Sequence, residues 1–185
     1  SGYSAVLRAG NLKLRSGEAQ AADEFSRTEG GFSRFNFDVN HVSKLSKVTQ
    51  FYIFAHGQLA NRNLDSSEQF YLGGADAVRA YPQGEAGGDS GYQATAELRY
   101  QTPVKGMSMT LFADVGEVLA RKDGDTSDPH RRLAGWGIGA VYSLDRSLYA
   151  RLDYARKIKG ESYRSEAEDK NGRLWSVSYT HLRAH

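Results

Sequence analysis

Apolar and polar residues alternate one for one along most of this chain, and that pattern restricts it to strands. Met107, Met109, Leu111, Ala113 and Val115 interleave with Ser108, Thr110, Phe112, Asp114 and Gly116. Tyr92, Ala94, Ala96, Leu98 and Tyr100 interleave with Gln93, Thr95, Glu97 and Arg99. Leu148, Ala150, Leu152 and Tyr154 alternate with Tyr149, Arg151 and Asp153, and Phe35, Phe37 and Val39 with Arg34, Asn36, Asp38 and Asn40. A period of two sends the two sets of each pair to opposite faces of a strand. Eight such segments are expected, at about 3–14, 31–43, 47–60, 91–101, 107–119, 132–143, 147–157 and 173–181. Most are longer than the ~5–6 residues usual in soluble proteins, and reach the ~9–11 that a tilted strand needs to cross a bilayer.

The connections fall into two classes that alternate. "SKLSK", "QTPVKG" and "SLDRS" are short polar turns, whereas 15–30, 61–90, 120–131 and 158–172 are long and rich in Gly, Asp, Ser, Glu and Lys. Short turns at one end and long loops at the other are the layout of an outer-membrane barrel. The expected fold class is therefore all-β, an antiparallel outer-membrane β-barrel of about eight long strands, spanning 1–180. Its polar face carries Arg34, Asp38, Glu97, Arg99, Asp114, Arg151 and Asp153, which need water or partners. Tyr92, Tyr100, Trp136, Tyr142, Tyr154, Trp175 and Tyr179 are assigned to the apolar face, several near strand ends, as interfacial aromatics are. A soluble barrel or sandwich would turn the same apolar face inward, so the direction of Phe37, Leu111 and Leu152 separates the two.

Composition agrees. A net charge of +2 in 185 residues leaves no nucleic-acid footprint, and the absence of cysteine excludes disulfides and thiolate metal sites. No apolar run reaches the ~20 residues of a spanning helix. A low mean hydropathy suits strands on which only every second residue meets lipid. The chain opens at Ser1 without methionine and is read as a fragment or processed product.

The stretch "GGADAVRAYPQGEAGGDSG", Gly73 to Gly91, poses a choice. Its "GDSG" is the setting of a nucleophilic serine in trypsin-like proteases, with His41 and His56 upstream. Those enzymes need two small barrels of short strands around a triad, which this length and these long strands do not provide. A phosphate cradle would need "GK[ST]" and a following helix, and both are missing. The histidines lack metal-ligand spacing. No catalytic residue, metal or cofactor is expected. The connection far exceeds what a hairpin requires, and it is apolar around one arginine. Arg79 is its only basic residue between Arg62 and Arg99. A loop of this kind folds inside something, and an arginine carried inward needs an acid. Asp114, mid-strand on the polar face, is the best partner. Glu97, Arg99, Arg151 and Asp153 line the lumen beside it or form a salt-bridge network there.

"GGADAVRAY", "GEAGGDSGYQATAELRY" and "LFADVG" together resemble the TpsB-type transporters of two-partner secretion, the haemolysin secretion/activation proteins. These share a superfamily with the BamA-type assembly factors. The family's VRGY/F motif is matched by Val78, Arg79, Ala80 and Tyr81. Its F-x-D-x-G motif is matched by Phe112, Asp114 and Gly116. Gly88, Asp89, Gly91, Glu97 and Leu98 resemble the TpsB branch more than the BamA branch. The resemblance implies that Arg79 pairs with Asp114 and that 61–90 folds into the lumen. It implies the C-terminal half of a sixteen-stranded barrel in the bacterial outer membrane, without the periplasmic POTRA domains. It further implies export of a large unfolded TpsA-type exoprotein, an adhesin or haemolysin, with outer-membrane lipid as the other partner. A BamA-like assembly role is the alternative. The ending "SYTHLRAH" lacks the terminal aromatic of such barrels, and 181–185 is expected to be a non-native tail.

Overall fold

A computed structural model describes residues 1–120, 130–144, 148–158, 165 and 170–180. Its strands are β1 (Gly2–Leu12), β2 (Gly30–Lys44), β3 (Thr49–Ala60), the short pair β4 (Phe70–Tyr71) and β5 (Gly87–Gly88), then β6 (Ser90–Gln101), β7 (Met107–Leu119), β8 (His130–Leu144), β9 (Leu148–Lys157) and β10 (Gly172–Thr180). The eight long strands form one antiparallel sheet in chain order, with β4 and β5 paired separately. The long strands begin and end within two residues of the expected bounds. The 181–185 tail and most of the "SLDRS" turn and of the 120–131 and 158–172 connections lie outside the described residues.

Register carries the alternation across the whole sheet. One row on the outer face runs Phe51, Leu98, Leu111, Ile138, Tyr154, Leu174, one residue from each of six successive strands. All six are exposed. A second outer row runs Val39, Ala55, Ala94, Val115, Ala134. An exposed apolar belt of this extent is too large for a soluble monomer's surface and fits lipid contact. The soluble alternative, with this face turned inward, does not describe the molecule.

The opposite face is covered by 61–89, which lies across the sheet rather than projecting from it. Arg34 of β2 pairs with Glu68, and Gln58 of β3 donates to the carbonyls of Glu68 and Asp89. Further contacts reach every long strand from β6 to β10. Phe70, Leu72, Val78, Ala80, Tyr81 and Ala86 from this segment pack with Phe112, Val118, Leu133 and Ala155 of the sheet in the one buried apolar cluster among the described residues. Each large side chain buried there contributes ~1.5–3 kcal/mol. The sheet is curled around the segment. A single nitrogen of Arg79 touches Glu97 of β6 at 3.0 Å and lies 3.8 Å from Asp153 of β9. On a flat sheet those strands would be ~14 Å apart.

Two expectations are corrected. Trp175 and Tyr179 do not belong to the apolar outer face. Trp175 pairs with Asp153 and Tyr179 with Tyr149, and both partners point inward. Pairing with β9 sets the phase of β10, although Trp175, Val177 and Tyr179 are its more apolar set. Second, the 15–30 connection is not only loop: it holds helix α1 (Gly17–Ser26), with Ser16 as its N-cap. Glu18, Ala19, Gln20, Ala21 and Ala22 are good helix formers. The Ser16 hydroxyl accepts the Ala19 N–H, satisfying one of the orphan donors of the first turn.

Candidate functional site

The inner surface has a charged centre built on Arg79. The segment reaches it through a tight fold in which the Val78 N–H bonds to the Leu72 carbonyl and the Tyr81 N–H to the Val78 carbonyl. Val78, Ala80 and Tyr81 are fully buried on either side of Arg79. The guanidinium meets Asp114 through two parallel bonds, Nε to Oδ2 at 2.9 Å and Nη2 to Oδ1 at 2.8 Å. The Arg79 backbone N–H adds a third, at 3.1 Å to Oδ2. Thr95 completes the carboxylate by donating to Oδ1 at 3.0 Å. Both residues of the pair are about 2–3% exposed. Such a two-pronged, charge-assisted contact is the strongest geometry available to arginine.

Neighbours tighten the arrangement. The Arg79 guanidinium carbon sits 3.3 Å from the centre of the Phe112 ring, a cation–π contact strengthened by the absence of water. The Trp175 indole donates to the Arg79 carbonyl at 2.7 Å. Glu97 is shared between Arg79 and Arg99, and Asp153 lies between Arg79 and Arg151. Three arginines (79, 99 and 151) thus face Glu97, Asp114 and Asp153, with Asp76 at 3.6 Å as a further acid beside Arg151. Beneath this network lies a polar recess of about 340 Å³ lined by Gln50, Thr110, Ser108 and Tyr149 with these charged groups.

Space for the segment comes from glycine. Gly135, Gly137 and Gly139 occupy successive inward positions of β8. A Cβ on Gly135 would lie 2.6 Å from the Ala80 Cβ, and one on Gly137 2.4 Å from the Phe112 ring. Gly116, the third residue of the F-x-D-x-G motif, similarly leaves room for Leu72, whose Cδ2 would be 2.5 Å from a Cβ there. The sequence reading missed the β8 glycines, Trp175 and a Glu85–Arg131 contact. "GWGIG" carried a usable clue, since glycine at every second residue empties one face of a strand.

The "GDSG" residues are engaged with backbone. The Ser90 hydroxyl accepts the Ala60 N–H at 3.0 Å, and Asp89 accepts from Leu64 N–H and the Gln69 amide. Ser90 thus ties the start of β6 to the end of β3, and the Asp89 carboxylate ties the end of the segment to its beginning.

Long antiparallel strands with apolar side chains outside, and a charged inner face closed over by a re-entrant segment, define a unit of an outer-membrane-type β-barrel. The model of the haemolysin secretion/activation protein family ShlB/FhaC/HecB matches residues 5–142. The chain belongs to that family. It is 32% identical over 111 residues to the heme/hemopexin transporter protein HuxB of Haemophilus influenzae, covering 58% of this chain and 20% of HuxB. Its fold matches that of CdiB from Acinetobacter baumannii with a TM-score of 0.58 at 22% identity, over 82% of this chain and 28% of CdiB. The chain therefore spans about a fifth of the length of the curated relatives it matches.

Proposed function

We propose that this chain is the C-terminal barrel region of an outer-membrane transporter of two-partner secretion. It exports a large, unfolded TpsA-type exoprotein, an adhesin or haemolysin, to the bacterial surface. In this reading 1–180 is membrane barrel, and 61–90 is a segment held in the lumen. Val78, Arg79, Ala80 and Tyr81 form its functional motif, with Phe112, Asp114 and Gly116 as the receiving site. Glu97, Arg99, Arg151 and Asp153 line the passage. Nothing is chemically transformed: the substrate threads a polar lumen lined by charges of both signs and folds outside.

The observation that carries this reading is the buried two-pronged pair of Arg79 and Asp114 inside a sheet whose other face is apolar. Low dielectric makes such a pair strong when complete and costly when half removed. The test is secretion of the partner exoprotein by the full-length transporter, at matched barrel levels. Arg79→Ala and Asp114→Ala should each lower it, and the double variant should be little worse than either. Additive losses would show that the two act independently and would defeat this mechanism.

A further inference from the structure

A second buried carboxylate holds the same segment at another height. The Glu85 side chain is fully buried, and Arg131 of β8 holds both that side chain and the residue's backbone carbonyl. Arg131 Nη2 donates to Glu85 Oε1 at 2.9 Å, and Nη1 reaches the Glu85 carbonyl at 3.4 Å. The other oxygen, Oε2, accepts from Ser165, from its N–H at 3.1 Å and its hydroxyl at 2.5 Å. Ser165 belongs to the β9–β10 connection, so one carboxylate joins three parts of the chain that are distant in sequence.

The heights differ in a way that matters. Arg131 pairs with Val118 on β7, four residues beyond Asp114 toward the long connection. At ~3.4 Å per residue the two anchors are roughly 14 Å apart along the strand. Glu85 thus adds a buried charged hold between Arg79 and the segment's end, beside the Arg34–Glu68 pair and the Gln58 bonds. Glu85 also differs in kind from Arg79. The Arg79 network closes on strands and the segment itself, whereas half of the Glu85 carboxylate is satisfied by a connection at the rim. Displacing that connection would strip two hydrogen bonds from a buried charge and weaken its remaining hold.

We propose that Glu85 is a second positioning residue of the inner segment, and that it couples the segment to the β9–β10 connection at the long-loop rim. Release of the segment then requires that connection to move with it. The inference rests on the reading of 61–90 as a segment held inside the complete barrel.

The test uses the full-length transporter in the outer membrane of intact cells, with a single cysteine at Asp76→Cys. Asp76 lies on the inner side of the sheet, 3.6 Å from Arg151, with its carbonyl accepting from Gln93. A membrane-impermeant maleimide is added from outside, and heat-modifiable mobility on gels reports that each barrel is folded. Rapid labelling of the otherwise unsubstituted protein would sink the inner-segment reading itself. With that protein protected, Glu85→Ala and Arg131→Ala should each speed labelling by about tenfold or more. The double variant should gain no more than about twofold over the faster single. Glu85→Gln keeps the shape and removes the charge, and should speed labelling by about threefold or more if the alanine variant does not assemble. Ser165→Asp sets a second carboxylate against Glu85 and should speed labelling comparably, but not in the Glu85→Gln background, where there is no charge to repel. Unchanged labelling in folded Glu85→Gln protein would overturn the anchor. Ser165→Asp acting equally in both backgrounds, or in neither, would overturn the coupling.

Discussion

Arg79 is satisfied on every side: Asp114 in front, Glu97 and Asp153 flanking, the Phe112 ring against its plane and Trp175 on its carbonyl. Breaking the Arg79–Asp114 pair on one side leaves a buried charge, so either alanine variant should lose ~3–5 kcal/mol of barrel stability. Urea unfolding in lipid vesicles would measure that loss. Trp175→Phe keeps the ring and removes the donor to the Arg79 carbonyl. It should cost ~1–3 kcal/mol by leaving a buried acceptor without that bond, and the same titration would show no loss if the indole were merely a cover. Gly135→Val drives a side chain into Ala80. Overpacking of this kind costs ~1–3 kcal/mol, and it should lift the segment while leaving the strand pairing of β8 intact by infrared amide bands.

Among the elements, β7 shows the division of faces most clearly. Leu111 sits in the outer apolar row and Asp114 in the charged centre, three residues apart. Leu111→Arg should destabilise the barrel by ~2–4 kcal/mol if Leu111 lies near the bilayer midplane, read as the change in folding free energy in vesicles. A negligible change would contradict lipid contact at this row. Helix α1 is a different kind of element, short and carried on the rim. Hydrogen bonds from the Thr28 hydroxyl and N–H, with others from Ser26 and Glu29, hold the Asp23 carboxyl well below the usual carboxylate range. A depressed carboxylate contributes its stability above the unfolded-state pKa and loses it as pH falls through the folded-state value. The helix end should therefore stay closed through the range where ordinary aspartates protonate. Hydrogen exchange at the Thr28 and Glu29 amides would follow this, and Asp23→Ala should expose both at neutral pH.

At the scale of the molecule, the eight long strands make a curled sheet with β1 paired only to β2 and β10 only to β9 among the described residues. Bare strand edges template association. Expressed by itself in detergent micelles, the 185-residue chain should form edge-paired oligomers. Analytical ultracentrifugation would detect them, and a stable monomer would mean that the two edges close on each other. The 61–89 segment does for this sheet what a core does for a soluble protein, since its apolar side chains are what the inner face packs against.

The strands and their length were legible in the residues, because a two-residue period is a local consequence of backbone geometry and each segment declares it alone. So was the need of a lone inward arginine for an acid, and the structure brings Arg79 to Asp114. Helix α1 was hidden because ten residues give little periodicity and the capping at Ser16 and Asp23 uses residues equally at home in a loop. The facing of β10 was decided by its register against β9, which reverses what its own apolar pattern suggests. The glycines of β8 acquire meaning only when Phe112 and Ala80 arrive above them. Glu85, Arg131 and Ser165 are too far apart in sequence for any local pattern to pair them. Alternation is written residue by residue along one strand, so the chain alone determined which segments are strands and which have two unlike faces. Which face of the last strand turns inward, and which charges meet on the inner face, depends on contacts between residues far apart in sequence, and only the folded sheet brings those together.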